Sequence, residues 1–202
     1  FFFLIIMESK IDRICVFCGS KSGSDPEYSQ KTIALAHEFV KRNIGLVYGG
    51  GTVGLMGDLS KTVDSEGGSV IGVIPRALCK REISGDGVGE VILVDDMHTR
   101  KATMAEKCQA FIALPGGFGT FEELFEVITW SQLGIHSKPI GCLNINGYFD
   151  PLKSLIENAI QSGFVEESFR KLVIFESDPV QLIDSILSHT PPTPKIHWNP
   201  EI

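Results

Sequence analysis

The chain has 202 residues, of which 43% are hydrophobic and 21% are charged, a composition typical of one globular domain with a sizeable core. Its formal net charge of -7 at pH 7 argues against a nucleic-acid polymer as the main partner, because such polymers bind to clusters of Lys and Arg. A small phosphorylated ligand remains compatible, since backbone N–H groups at a helix start bind phosphate without a basic surface.

The first ten residues precede any predicted element. Residues 1–6 read FFFLII and are followed by Met7. A signal peptide needs a basic segment and a cleavage site, and a membrane span needs about 20 apolar residues. We therefore expect residues 1–10 to be a leader, with Met7 as the true start, and we expect no association with a membrane.

Short β-rich runs alternate with amphipathic stretches along residues 11–188. The predicted strands are residues 13–17, 45–48, 69–74, 90–94, 110–114, 140–143 and 172–175. The predicted helices are residues 27–42, 55–65, 99–107, 120–133, 151–162 and 179–188. Because several strands are continuously apolar, the alternation predicts a single-domain α/β fold, a Rossmann-like doubly wound parallel sheet with helices on both faces. Ligands of such sheets bind at the carboxyl ends of the strands.

The last fourteen residues, 189–202, read HTPPTPKIHWNPEI. Proline lacks the backbone donor that helices and sheets use. We expect this segment to be a Pro-rich mobile tail or to lie along the surface, with the catalytic domain confined to residues 11–188.

The predicted helix 120–133 is apolar around most of its circumference. One stripe contains Phe121, Leu124, Phe125 and Ile128, and the remaining surface carries Val127, Trp130 and Leu133. A helix of this kind is buried on more than one side. Two interpretations remain open, a homodimer contact and a helix central to its own domain.

The five cysteines are an odd number scattered through apolar stretches: Cys15, Cys18, Cys79, Cys108 and Cys142. This usage suits buried thiols in a reducing compartment. Cys15 and Cys18 form a C-x-x-C pattern, but they lie in a predicted strand, whereas a thioredoxin-type pair opens a helix. The pattern therefore disfavours a redox pair or a zinc site.

A first glycine cluster, GLVYGGGTVGLMG, occupies residues 45–57. It satisfies G-x-G-x-x-G at Gly49, Gly51 and Gly54, and it connects a predicted strand to a helix. A dinucleotide site also needs an acidic residue after the following strand, which here ends in Pro75 and is followed by Arg76. An NAD-linked enzyme is therefore disfavoured, while a purely structural turn remains open. The candidate ligand contacts of this loop are Gly50 and Gly51.

A second glycine cluster, FIALPGGFGTFEEL, occupies residues 111–124. The loop, the helix start and the Thr120 hydroxyl form a plausible phosphate cradle. Glu123 lies three residues after Thr120, and T-x-x-E is also the pattern of a capping box that only satisfies helix donors. A capping box would not require a second glycine loop at another strand end, which favours the functional interpretation.

Arg100 and Lys101 follow a predicted strand, near the start of the next helix. Cations at a helix N-terminus oppose the helix dipole. They are therefore expected to face a negative group, either a ligand phosphate or the carboxylate of Glu123, with a solvated basic pair as the alternative. His98 has no partner in the sequence that indicates a metal site or a triad.

These segments carry a resemblance. VYGGGTVGLMG, MHTRKATM and PGGFGTFEELFEVITW closely resemble the Lonely Guy (LOG) family of cytokinin-activating nucleoside 5′-monophosphate phosphoribohydrolases, and RICVFCGS and WSQLGIHSKPIGCLNINGY resemble its plant members. The resemblance covers residues 11–188. It implies hydrolysis of the N-glycosidic bond of N6-substituted adenosine 5′-monophosphates, a homodimer, and no metal or redox cofactor. We expect a cytoplasmic protein, with a nuclear fraction as a second expectation.

The resemblance also assigns residues. Arg100 and Glu123 match the catalytic pair of the family. The substrate-binding set is matched by Glu82, Arg100, Lys101, Gly116, Gly117, Phe118, Gly119, Thr120, Phe121, Glu122, Glu123 and Thr129. Phe118 stands where Tyr is common, Phe121 where Leu is common and Thr99 where Gln is common, and the missing phenol at 118 is expected to alter a ligand hydrogen bond.

The mechanism expected from this assignment places Glu123 beside the ribose. Glycosidic cleavage passes through a cation-like sugar, which a nearby carboxylate stabilises. Arg100 would orient Glu123, and the loop with Thr120 would hold the 5′-phosphate. Molybdenum-cofactor carrier proteins resemble the same fold and glycine loop, so a non-catalytic carrier of a phosphorylated ligand is the alternative.

Overall fold

The computed structural model describes residues 11–82, 87–190 and 192. The expected leader, residues 1–10, lies outside the described residues, as does the expected tail apart from residues 189, 190 and 192. No helix of the described part is long and apolar enough to cross a membrane.

The described residues form one seven-stranded sheet. Its strands are β1 (Arg13–Phe17), β2 (Gly45–Tyr48), β3 (Val70–Pro75), β4 (Glu90–Val94), β5 (Ala110–Ala113), β6 (Ile140–Leu143) and β7 (Val173–Glu176). Their order is β4-β3-β2-β1-β5-β6-β7, and all neighbours pair in parallel. The strand order reverses between β1 and β5, the position where open parallel sheets bind ligands.

Within the described residues there are seven α-helices, of which the first six lie between successive strands and the seventh follows β7: α1 (Pro26–Lys41), α2 (Gly54–Ser65), α3 (Arg76–Glu82), α4 (Met97–Glu106), α5 (Phe118–Gln132), α6 (Asp150–Gln161) and α7 (Pro179–Ser188). The apolar sides of α1, α2 and α7 pack on one face of the sheet. Those of α4, α5 and α6 pack on the other face. The predicted Rossmann-like α/β fold with helices on both faces is therefore confirmed.

Local sequence explains the starts of three helices, α1, α4 and α7. Asp25 and Asp178 accept hydrogen bonds from the first backbone N–H groups of α1 and α7, and each is followed by a proline whose fixed φ suits the first turn. Asp96 accepts a bond from the Thr99 N–H at 2.8 Å, so α4 begins at Met97, two residues before its predicted start. The sequence pattern missed α3, which is too short to show helical periodicity.

The C-x-x-C pattern does not bring its two thiols together. Cys15 packs in the cluster on one face of the sheet and Cys18 in the cluster on the other, because successive side chains of a strand alternate between faces. All five cysteines are free. Burial raises the pKa of the Cys18 thiol, which disfavours the thiolate form needed for redox chemistry.

Candidate active site

The two glycine loops lie at the same edge of the sheet. The first follows β2 and the second follows β5, and both of these strands pair with β1. Because all the strands are parallel, their carboxyl ends share one edge. Residues 18–25, which follow β1, therefore lie between the two glycine loops, at the point where the strand order reverses.

Arg100 on α4 is buried, with 7% of its surface exposed, and it connects three elements. Its Nε donates to the Val73 carbonyl of β3 at 3.0 Å. Its Nη1 donates to Glu123 Oε1 at 2.6 Å, and its Nη2 donates to the Gly49 carbonyl at 3.4 Å. A Cβ at Gly49 would lie 2.1 Å from Nη2. The first glycine loop therefore leaves the space that the guanidinium occupies.

Glu123 on α5 is 8% exposed and receives the charge-assisted bond from Arg100. Burial raises the pKa of this carboxyl, and the neighbouring guanidinium opposes the shift. A buried carboxylate with a raised pKa and a cationic partner is a typical feature of functional sites. The expectation that Arg100 faces the carboxylate of Glu123 is confirmed.

The capping-box interpretation of Thr120 and Glu123 is wrong. The N-cap of α5 is Gly117, with no side-chain cap, and the helix begins at Phe118 rather than at Thr120. Thr120 is therefore already inside the first turn, and its side chain is buried. The Glu123 carboxylate bonds to Arg100, so the pattern marks a buried ion pair.

The second glycine loop is fixed by its neighbours. The Gly19 N–H donates to the Pro115 carbonyl at 3.0 Å, and the Tyr148 hydroxyl donates to the Gly116 carbonyl. A Cβ at Gly116 would lie 2.1 Å from Thr120 Oγ1. Packing within the protein therefore requires glycine at position 116.

Gly117 and Gly119 differ from Gly116. A Cβ added at either position would meet no atom within 4 Å. The φ of Gly117 is -99°, which other residues also adopt. Neither packing nor backbone conformation explains these two glycines, so the open space beside the start of α5 suits a ligand that approaches the backbone closely.

A cavity of about 400 Å³ opens between the β1 loop and the second glycine loop. Its lining combines glycine backbone, small polar groups and apolar rings: Gly19, Ser20, Lys21, Ser22, Gly23, Tyr28, Leu55, Pro115, Gly116, Gly117 and Tyr148. Arg100 and Glu123 do not line it; they lie at the same edge of the sheet, against Gly49 and Val73. A larger cavity of about 570 Å³ runs along the edge strand β7 and contains no predicted site residue.

Lys101 does not line this cavity. Its Nζ bonds to Glu122 at 2.5 Å and to Glu126 at 2.9 Å, and its side chain is 10% exposed. Desolvation lowers the pKa of Lys101, but the two carboxylates outweigh it and the net shift is upward. The prediction that this lysine faces a negative group is confirmed, and the group is a pair of glutamates on α5.

The other predicted contacts are dispersed. Phe118 is 92% exposed at the start of α5, and Phe121 stacks on Tyr148 with ring centroids 6.4 Å apart.

The Thr129 hydroxyl donates to the Phe125 carbonyl of its own helix, more than two turns from Thr120. Gly50 has a φ of +79°, a backbone conformation that favours glycine, and lies with Gly51 in the buried loop. The side chain of Glu82 lies outside the described residues.

Sequence reasoning missed the β1 loop. Residues 19–23 and the rings of Tyr28 and Tyr148 line the cavity, yet none was singled out. The signal was available, because the loop after β1 reads GSKSG at the place where the strand order reverses, and ligands bind there. Among the described residues, no group of three His, Cys, Asp or Glu side chains is placed to hold a metal ion.

The sequence of this chain is similar to those of known proteins. A family model described as "possible lysine decarboxylase" matches residues 56–186. A probable cytokinin riboside 5′-monophosphate phosphoribohydrolase from Oryza sativa subsp. japonica is 52% identical over 95% of this chain and 79% of its own length. A cytokinin riboside 5′-monophosphate phosphoribohydrolase from Arabidopsis thaliana is 52% identical over 91% of this chain and 86% of its own length. The chain belongs to the LOG family of phosphoribohydrolases.

The fold of this LOG-family chain is also similar to solved structures of lower identity. The molybdenum cofactor binding protein from Rippkaea orientalis superposes with a TM-score of 0.66 at 21% identity, over 89% of this chain and 99% of that one. A Moco carrier protein from Chlamydomonas reinhardtii gives 0.64 at 20% identity, over 88% and 96%. At this identity the likeness concerns the fold alone.

Proposed function

We propose that this chain hydrolyses the N-glycosidic bond of N6-substituted adenosine 5′-monophosphates and releases the free base and ribose 5-phosphate. Relatives with about half of their residues identical carry the name of this activity. The observation that carries the proposal is the buried ion pair of Arg100 and Glu123, which lies at the ligand-binding edge of the sheet beside a glycine loop with open space.

The chemistry follows from charge. Cleavage of the bond to the base leaves positive charge on the ribose, and a carboxylate next to C1′ stabilises it more in the transition state than in the ground state. Glu123 supplies this carboxylate and positions the attacking water. Arg100 holds the Glu123 side chain in one place, since its other donors bond to the Val73 and Gly49 carbonyls.

The 5′-phosphate binds at the second glycine loop. The first N–H groups of α5 have no side-chain cap, and the helix dipole favours an anion at this end. Gly117 and Gly119 leave space for the phosphate oxygens. Binding the phosphate fixes the ribose relative to Glu123 and lowers the entropic part of the barrier.

A non-catalytic carrier of a phosphorylated ligand is the alternative, favoured by the fold likeness to molybdenum cofactor proteins. Carriage requires an anion site but no carboxylate. A buried carboxylate is costly unless it is paired, and placing one beside an anion site would weaken the binding of a phosphate. The Arg100–Glu123 pair therefore favours the hydrolase.

The test is incubation of the chain with isopentenyladenosine 5′-monophosphate and with AMP, followed by chromatography for the free base. We expect base release from the nucleotides and little from adenosine, because adenosine lacks the phosphate. Absence of free base from both nucleotides at micromolar enzyme would contradict the proposed activity, and equal rates for AMP and adenosine would contradict the phosphate cradle.

We also propose a homodimer. The surface formed by α5 and α6 exposes large apolar side chains, including Phe125 at 40% and Leu155 at 56%, and both line an apolar groove of about 170 Å³ between these helices. Exposed apolar surface of this kind marks an interaction site. A second copy covering the groove would bury the outer side of α5, which is apolar around most of its circumference.

The dimer is tested by sedimentation of Leu155→Glu, which places a charge on the apolar surface. Leu187→Glu on α7 is the matched control, because Leu187 is 47% exposed on the other face of the sheet. We expect Leu155→Glu to sediment as a monomer and the control to behave as the unmodified chain. Equal behaviour of the two variants would contradict this surface as the interface.

A cytoplasmic location with a nuclear fraction is our further proposal. Its support is the presence of five free cysteines, since proteins of reducing compartments keep their thiols unpaired. Imaging of the chain fused to a fluorescent protein tests it, and exclusive accumulation in a secretory compartment would contradict it.

A further inference from the structure

The two cations that the sequence predicts at the site, Arg100 and Lys101, are both paired with carboxylates of the protein. A phosphate monoester carries about -1.5 to -2 charges at pH 7. Arg100 is already paired with Glu123, and Lys101 is paired with both Glu122 and Glu126. Neither cation predicted from the sequence has an unsatisfied charge.

Lys21 is the cation of the cavity between the loops. It lines this cavity together with Gly116 and Gly117, next to the start of α5. Its side chain is exposed, and among the side chains that the structure describes (residues 11–79, 87–190 and 192) no carboxylate lies at ion-pair distance from it. The remaining wall of the cavity is mostly apolar, with Tyr28, Leu55 and Tyr148, and so offers no competing charge.

The backbone of Lys21 is held between the two glycine loops. On one side, the Gly19 N–H donates to the Pro115 carbonyl at 3.0 Å. On the other, a Cβ at Gly54 would lie 2.4 Å from the Lys21 N atom, so the loop packs directly on the start of α2. The Gly19 carbonyl also accepts a bond from the Met56 N–H at 3.3 Å. The backbone at Lys21 is therefore fixed beside the second glycine loop.

We propose that Lys21 binds the 5′-phosphate of the nucleotide across the cavity from Gly116 and Gly117. The inference rests on the proposed function, because it names the charged partner of the same ligand. It assigns the phosphate to a cation with no competing carboxylate, where a charge-assisted bond is strongest.

The test compares Lys21→Met with Lys61→Met. Lys61 is exposed on α2 and lines none of the cavities described here, so its variant removes the same net charge from a different place. We expect Lys21→Met to raise KM for AMP about tenfold or more, as the loss of a charge-assisted bond predicts, with kcat changed less than about threefold. The inhibition constant of inorganic phosphate should rise by a similar factor, and Lys21→Arg should restore most of both.

Equal KM and equal phosphate inhibition in the two variants would overturn the inference, as would a phosphate-specific loss in Lys101→Met that Lys21→Met does not show. A lack of base release by the unmodified chain would overturn the proposed function instead. In that case calorimetric titration of AMP into the same variants still tests Lys21: weaker binding in Lys21→Met than in Lys61→Met supports its role, and equal binding overturns it.

Discussion

Arg100 Nη1 donates to Glu123 Oε1 at 2.6 Å between two helices that lie on the same face of the sheet. Both side chains are at most a tenth exposed. A buried pair of this kind costs desolvation energy that its attraction scarcely repays, so it is weak evidence for stability. Its position at the ligand edge of the sheet is the reason that the proposed function assigns it to catalysis.

Glu123→Gln tests this role. Gln keeps an oxygen that accepts the bond from Arg100 but carries no charge beside the ribose. We predict a fall in kcat of about a thousandfold, within the range that loss of a general base or of charge stabilisation produces. AMP binding measured by calorimetry should stay within about threefold of the unmodified chain.

The matched control for this variant is Glu126→Gln. Glu126 lies one turn further along α5 and pairs with Lys101 rather than Arg100. The Glu126→Gln variant should retain most of the turnover of the unmodified chain. Equal losses in the two variants would indicate a general effect of charge on α5 and would contradict the assignment of Glu123.

Substitution of Gly117 or Gly119 in the second glycine loop should change the affinity for AMP without a comparable change in the free energy of unfolding. Gly117→Ala and Gly119→Ala meet open space, and Ala in the first turn of a helix stabilises it relative to Gly by about 0.5 kcal/mol. For Gly119→Ala, which lies in that first turn, we predict an unchanged or slightly higher free energy of unfolding; for Gly117→Ala, at the N-cap where Gly is preferred over Ala, we predict a slightly lower one. Both variants should lose at least tenfold in AMP affinity. Urea unfolding and calorimetry measure the two quantities.

Gly116→Ala is the contrasting variant, since its Cβ would lie 2.1 Å from Thr120 Oγ1. It should lose stability as well as binding. If Gly117→Ala and Gly119→Ala bind AMP normally, the loop is not the phosphate site.

The pH dependence should reflect the raised pKa of the Glu123 carboxyl. Burial raises this pKa above its ordinary value of 4.5, and the proposed mechanism uses the ionised form. kcat/KM should therefore fall on the acid side through a pKa higher than 4.5. Glu122→Gln removes a nearby negative charge that raises the pKa of Glu123, so the acid limb should move to lower pH. A limb that stays in place would instead report ionisation of the substrate phosphate.

The free energy of unfolding should fall as the pH is lowered below 6.5, because the pKa of His136 is lower in the folded chain than in the unfolded chain. Burial lowers the pKa of this imidazole to about 4, from 6.5, and its ring packs on Phe111 with centroids 5.3 Å apart. In the unfolded chain the His136 imidazole takes up a proton as the pH falls below 6.5. In the folded chain it does so only near pH 4. The contribution of His136 is therefore complete above pH 6.5 and is lost as the pH falls towards 4.

His136→Phe should flatten the free energy of unfolding between pH 7 and pH 5, measured in urea. His98→Phe, at an exposed position on α4, serves as its control. A pH dependence that is the same in both variants would contradict a role for His136.

The fold was predictable because parallel strands are apolar on both faces and short. All seven strands were placed within one or two residues. The start of α5 was not, since Thr120 and Glu123 imitate a capping box and only the tertiary contact with Arg100 distinguishes the two interpretations. The family resemblance supplied the Arg100–Glu123 pair, and the structure gives its geometry.

The ion-pair partners of Lys101 could not be predicted from the sequence. Glu122 and Glu126 lie more than 20 residues further along the chain, and nothing local indicates that α4 and α5 face each other. Helix-to-helix pairing depends on how far each helix is rotated on the sheet, which the periodicity of one helix does not determine. The same limit hid Tyr148, whose hydroxyl bonds to Gly116 over 32 residues.

Gly49 carries a consequence for other chains built on this sheet. Because Gly49 has no side chain, the Arg100 guanidinium occupies the space beside it. A larger residue at position 49 would displace this guanidinium and leave the Glu123 carboxylate without its ion-pair partner. A chain with this fold that carries glycine at the position of Gly49 and arginine at that of Arg100 can therefore form the same buried ion pair, and a larger residue in place of the glycine disfavours it.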